Sequence, residues 1–317
     1  MFDFFDETHV KWLKAFCAYF RLSEDVVVSY FDEVNPDELT PGKLARDLSM
    51  YLIDYDSSNL SIICRHMTTA SEIDKESFLT HGIFNLKKML QEKTPLSDFI
   101  KNYGITVNVD NRKMFINQKA YPITSYGEPC EFCFKGRKMP CNAYFKCDAR
   151  KDMEHLGLKL YKYGATVEFF IHATIDEMER YSSIRRCPEI LQTLDKIVSS
   201  INGFSTSTYR MSYDWMREKT ECYILEFPVR LRDMETYAPI DYDRAWYEIS
   251  DCLEQSGYNY NDYYERLIPQ NVLDNMVFLK WFISVYFFES EELGSLLPDR
   301  CVERDKIRII KIVKEKE

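Results

Sequence analysis

The run from Met276 to Phe288 is the tightest constraint in this chain: 13 residues, apolar but for a few positions and carrying a single charge at Lys280. A bilayer needs about 20 consecutive apolar residues, so the segment is too short to span one and must be buried inside the protein. The spacing predicts a helix over Gln270–Phe288 enclosed on most sides. The rest of the sequence can supply that enclosure, because hydrophobic residues make up 45% and aromatic residues 15% of its 317 positions. Such a composition excludes intrinsic disorder as the main state. The length suits one elaborated domain or two packed ones. Only 10 residues are glycine, and neither GxGxxG nor GxxxxGK[ST] occurs, which removes the usual phosphate-cradling loops.

Periodicity gives the coarse order of elements. Val10, Leu13, Phe16, Cys17 and Phe20 repeat at helical spacing, and Thr40-Pro41 reads as an N-cap followed by proline at the first helical position. Leu60 to His66 reads as the first core strand. Short helices follow over 71–78, 83–91 and 95–103, and Asp110-Asn111 turns a hairpin between 105–109 and 113–116. Two strands are expected around Gly164, over 158–163 and 166–172. Helices at 175–181, 188–201 and 241–255, and strands at 203–209, 221–229 and 306–313, complete the set. The expected fold is α+β, a mixed central sheet covered by helices, with strands near 60, 160, 168, 206, 224 and 309. Leu13, Phe16, Leu48, Phe278 and Phe282 are the core residues this arrangement requires.

Residues 126–150 differ from their surroundings. Four of the ten cysteines fall there, as Cys130-x2-Cys133-x7-Cys141-x5-Cys147. A CxxC turn presents two thiolates from one knuckle, and four such ligands satisfy tetrahedral zinc. We read the stretch as an inserted cysteine-rich lobe holding a structural zinc, with His155 as a spare ligand, between segments 1–125 and 151–317 of one elaborated domain. Four unconnected buried cysteines are the plainer alternative. The net charge of −10 does not steer the molecule toward nucleic acid or anionic lipid. A local patch in the lobe, Phe132, Phe134, Lys135, Arg137, Lys138, Tyr144, Phe145 and Lys146, does offer rings and cations to single-stranded nucleic acid or a protein partner. No basic, apolar leader opens the sequence, so a cytoplasmic protein with reduced thiols and no membrane partner is expected.

A second constellation is dispersed. Arg65-His66 closes the first core strand, Ser205-Thr206-Ser207 sits in a later strand, and Glu289-Ser290-Glu291 precedes the closing Ile/Lys alternation. In this order the chain resembles the ADP-ribosyltransferase superfamily, with an Arg or His on the first strand, a Ser-Thr-Ser strand and a Glu-x-Glu. The resemblance implies NAD as substrate. Arg65 would hold a phosphate by a forked contact, or His66 would bond the ribose; Ser205 would bond the ribose, with Thr206 and Ser207 keeping the strand in register. Glu291 would stabilise the positive charge that builds as nicotinamide leaves, and Glu289 would orient the acceptor. Transfer to a protein or nucleic-acid acceptor and plain NAD hydrolysis both stay open, and a toxin or defence role fits either. The 140 residues between Arg65 and Ser205 require the cysteine lobe to be an insertion. No GxSxG elbow and no HExxH is present. The competing reading is a non-catalytic, zinc-bearing interaction module.

Overall fold

Two long strands carry the architecture: β1 (Ser61–Ala70) and β6 (Glu221–Arg230) lie side by side in a six-stranded sheet. The computed structural model describes residues 1–5, 9–72, 74–123, 146–163, 166–181, 186–201, 210–218, 221–236, 254, 257, 259, 261 and 268–311. The sheet order is β7-β8-β5-β1-β6-β9, where β5 is Glu168–His172, β7 Met234–Thr236, β8 Glu292–Leu296 and β9 Arg308–Lys311. The strand β5 is antiparallel to both neighbours, with Arg65 opposite Phe170 and Phe170 opposite Leu293. A second sheet is the meander β2 (Ile105–Asn108), β3 (Lys113–Ile116) and β4 (Lys119–Pro122). The fold class is α+β, as the sequence predicts.

The chain divides into two units, each gathered from separated stretches. The first comprises Met1–Arg65, Glu168–Met178 and Glu226–Ser295. Its helices are α1 (His9–Phe20), α2 (Glu24–Glu33), α3 (Pro41–Asp47) and the late helix of residues 270–288. Helix α3 starts where predicted, because the Thr40 hydroxyl accepts from the Lys43 N–H and Pro41 needs no donor of its own. Rings fill the interior: Phe16 stacks on Phe282 at 4.2 Å, and Phe2 meets Phe278 at 4.5 Å. Leu13, Phe16, Leu48, Phe278 and Phe282 are all buried, as required. Phe2 also bridges Ile62 in parallel, through Phe2 N–H to the Ser61 carbonyl and Ile63 N–H to the Phe2 carbonyl.

The second unit comprises His66–Val167, Glu179–Leu225 and Leu296–Glu317. It holds α4 (Glu76–His81), α5 (Leu86–Gln91), α6 (Pro95–Asn102), α7 (Asp148–Leu158), the helix α9 (Glu189–Ile201) and α10 (Met211–Arg217) around Ile100, Met114, Met153, Leu156 and Leu194. Helix α8 (Ile175–Arg180) precedes α9 in the chain, and the late helix Gln270–Phe288 is α11.

Three expectations are corrected. Residues 158–163 form no strand: α7 runs on into a π-helical turn, Lys159–Tyr163. Met153, Leu156 and Leu160 fall at helical spacing and are fully buried, a stripe that outweighs the local alternation. The short helix placed over 71–78 is α4, which begins only at Glu76. Between Glu289-Ser290-Glu291 and the last strand lies a further strand, β8, which begins at Glu292 and which Gly294 allows to approach Phe169. A Cβ there would lie 2.7 Å from the Phe169 ring. The strand expected at 203–209 and the helix at 241–255 lie almost wholly outside the described residues. Helices α2 and α10 and strands β4, β7 and β8 were not anticipated.

Candidate functional site

Arg65 leaves β1 with its guanidinium held on one side by Glu226 of β6. Nε and Nη2 donate to the same oxygen, Oε2, at 3.1 and 3.0 Å. The side chains keep 20% and 11% of their exposure, so the pair is largely out of water and the charge of Arg65 is matched locally. Its flat face lies 4.0 Å from the Phe5 ring centroid. That position follows from the parallel bridge of Phe2 to Ile62, which carries residues 2–5 alongside β1.

From Phe5 the rings continue. Phe5 stacks on His172 at 6.1 Å, Trp12 meets His172 edge-on at 5.9 Å, and His9 stacks on Trp12 at 4.9 Å. His9 Nε2 is 4.0 Å from Glu289 Oε1. Arg65 and Glu289 therefore stand at the two ends of one row of side chains within the first unit. Glu289 is 71% exposed and takes a left-handed conformation (φ 48) that ends α11.

His172 is the most constrained member. Its Nδ1 lies 2.7 Å from the Phe4 carbonyl oxygen, so Nδ1 carries the proton and Nε2 of the neutral ring offers a lone pair. Burial holds its pKa below the ordinary histidine value, partly offset by the Phe4 carbonyl and by Glu177 and Glu289. Among the described residues Nε2 has no partner, nor has the indole N–H of Trp12. One buried acceptor and one buried donor thus share a cluster of rings, a pairing that suits a ligand group able to accept and donate at once.

The acidic side is built at the start of β8. Glu291 is half-buried immediately before the strand, and Glu292 stands opposite His172 in the register. Burial pushes the Glu292 carboxyl up, opposed by a hydrogen bond from Ser284 and by the charge of Lys280. Sequence reading singles out neither His172 nor Glu292. The signal available for Glu292 was its place at the head of an apolar alternation, Glu292-Leu293-Gly294-Ser295-Leu296.

The strand register aligns Arg65, Phe170 and Leu293 across three neighbouring strands, about 10 Å from first to last at the usual strand spacing. Glu291 is two residues before Leu293 in sequence, so the Arg65 and Glu-x-Glu elements of the expected site come to the same part of the sheet. His66 does not join them, because successive residues of a strand point to opposite faces. Ser205, Thr206 and Ser207 lie outside the described residues. So do Cys130, Cys133 and Cys141. Cys147 is buried at the N-terminal end of α7 and His155 is exposed on that helix. Among the described residues no group of three or more His, Cys, Asp or Glu side chains is arranged to hold a metal ion. No described helix is long and apolar enough to cross a membrane.

No family model matches the sequence, and comparison with curated proteins and with solved structures returns no match.

Proposed function

We propose that the chain is an NAD-consuming enzyme resembling the ADP-ribosyltransferases, working in the cytoplasm, with its site at the head of β8 beside β5 and β1. The observation that carries this reading is the alignment of Arg65, Phe170 and Leu293, which brings the two dispersed elements of the resemblance to one sheet region. The row of rings from Phe5 to His9 suits a planar heterocycle. Glu226 engages two of the five Arg65 donors, and the remaining three are the ones a phosphate would take. Glu291 would stabilise the charge left on the ribose as nicotinamide departs, and Glu289, the more exposed acid, would meet the acceptor, whether protein, nucleic acid or water. A structural zinc on Cys130, Cys133, Cys141 and Cys147 belongs to the same proposal, as a brace for the lobe.

The test is NAD consumption, followed as nicotinamide release, by wild-type protein and by Glu291→Gln. The reading expects wild-type turnover and a loss of at least about 10²-fold in the variant at unchanged melting temperature. Wild-type protein that neither binds nor consumes NAD overturns it.

A further inference from the structure

His172 and Trp12 are only 8% and 4% exposed, and each keeps one buried polar atom that no described residue meets: the lone pair on His172 Nε2 and the N–H on Trp12 Nε1. Both rings are otherwise fixed. The Phe4 carbonyl, 2.7 Å from Nδ1, sets the His172 tautomer, and Trp12 is held by His9, stacked at 4.9 Å, and by the edge-on imidazole at 5.9 Å. An unmet acceptor and an unmet donor in one ring cluster cost free energy that a bound group can recover.

The ring beside them is the one that can move. Phe5 is half-buried, lies 4.0 Å from the Arg65 guanidinium and is tilted 28° from the His172 imidazole at 6.1 Å. Phe2 and Phe4 are buried, and the Phe5 N–H donates to Asp3 Oδ1 at 3.0 Å, so the backbone of residues 2–5 stays seated while the Phe5 side chain turns about χ1. Turning it out opens a flat place beside a guanidinium and an imidazole. Glu226 matches the charge of Arg65, and burial favours the neutral imidazole, so that place carries little net charge of its own.

These features select a chemical group. A carboxylate has no hydrogen to give to Nε2, and the charges of Glu177 and Glu289, which act on His172, repel it. An ammonium sets its hydrogens against the Trp12 N–H. A hydroxyl serves both atoms only from a single oxygen, whereas a primary carboxamide carries donor and acceptor on separate atoms of one plane. We propose that Phe5 holds the place of a flat aromatic ring bearing a primary carboxamide, whose N–H donates to His172 Nε2 and whose oxygen accepts from Trp12 Nε1. The proposal rests on the NAD reading, in which that ring is nicotinamide, and the two can fail separately.

The probe is nicotinamide, titrated into the full chain isotope-labelled at tryptophan; of the four indole N–H resonances, that of Trp12 is the one missing in Trp12→Phe. This resonance should shift saturably with a Kd below about 1 mM, and nicotinate and the matching pyridylmethanol should bind at least about tenfold more weakly. His172→Phe keeps a ring and removes the lone pair, and should weaken nicotinamide by about tenfold or more. Phe5→Ala should tighten it, because no ring has to be displaced. If His172→Phe does not fold, the wild-type preference for the amide and the effect of Phe5→Ala decide. A Trp12 resonance that stays put, equal binding of nicotinate or the alcohol, or unchanged affinity in Phe5→Ala overturns the proposal. Nicotinamide bound at Trp12 by a chain that leaves NAD intact keeps the carboxamide site and removes the NAD reading; NAD turnover without preference for nicotinamide over nicotinate does the reverse.

Discussion

Arg65 and Glu226 meet across β1 and β6 through two guanidinium donors and a single carboxylate oxygen, at 3.1 and 3.0 Å, with little water around either. Removing one member of such a pair leaves the other buried beside an apolar ring. Arg65→Ala should cost about 2–3 kcal/mol, below the 3–5 kcal/mol of a fully buried pair because a fifth of the arginine stays exposed. The double replacement Arg65→Met, Glu226→Leu should recover most of that loss. Urea unfolding of the two variants checks both values, and equal destabilisation in the double variant would show that the pair does not act as a unit.

His172 titrates below its ordinary value in the folded chain, so the unfolded chain binds the proton more readily. Its contribution to stability is therefore present above about pH 6.5, the unfolded value, and is lost as pH falls below that point until the folded pKa is passed. His172→Phe should flatten this part of a melting-temperature profile measured from pH 5 to 8. A variant that keeps the wild-type slope would place the proton elsewhere.

Glu292 runs in the opposite sense. Its folded pKa is raised, so the stability it contributes is present below about pH 4.5 and is lost as pH rises through the folded value. Glu292→Gln, which keeps the shape without the charge, should raise the melting temperature at pH 7 and leave it unchanged at pH 4. Calorimetry at the two pH values is the measurement.

Gly82 and Gly257 share a left-handed backbone, each at φ +82, yet they should respond differently to alanine. A Cβ on Gly82 would sit 2.1 Å from the Val302 carbonyl oxygen, which pairs with the Ile83 N–H. Among the described residues nothing lies within 4 Å of a Cβ placed on Gly257. Gly257→Ala should cost about 1 kcal/mol from the backbone alone, and Gly82→Ala several times more because Val302 must move. Equal denaturation midpoints for the two variants would contradict the close approach.

If the NAD reading holds, Glu289→Gln should lower transfer to an acceptor more than it lowers nicotinamide release, because a residue that orients the acceptor acts only on the second partner. Parallel assays of labelled acceptor and free nicotinamide separate the two. A loss confined to nicotinamide release would exchange the roles of Glu289 and Glu291.

Much of the framework was legible where one signal dominated. Thr40-Pro41 marked the start of α3, the helix at Gln270–Phe288 was bounded correctly, and Asp110-Asn111 turned the hairpin. The site was legible only in part. Arg65 could be placed at a strand end, but Glu226, 161 residues away, becomes its partner only through strand order. The same holds for His172, whose Nδ1 finds the Phe4 carbonyl 168 residues distant. Local propensity is silent about such pairings. It also misread 158–163, where a buried helical stripe overrode an alternation that looked extended.

The aromatic interior of the first unit joins residues from the two ends of the sequence: Phe2 to Phe278, Phe16 to Phe282, and Asn275 to the carbonyls of Leu52 and Tyr55. During synthesis at about 5–20 residues per second, Phe2 precedes Phe278 by roughly 14–55 s. Over that interval α1 has its buried face complete but lacks the helix that covers it. Nascent chains of this protein thus carry a row of uncovered rings from the synthesis of α1 until α11 emerges, and the first unit closes only after that helix has been made.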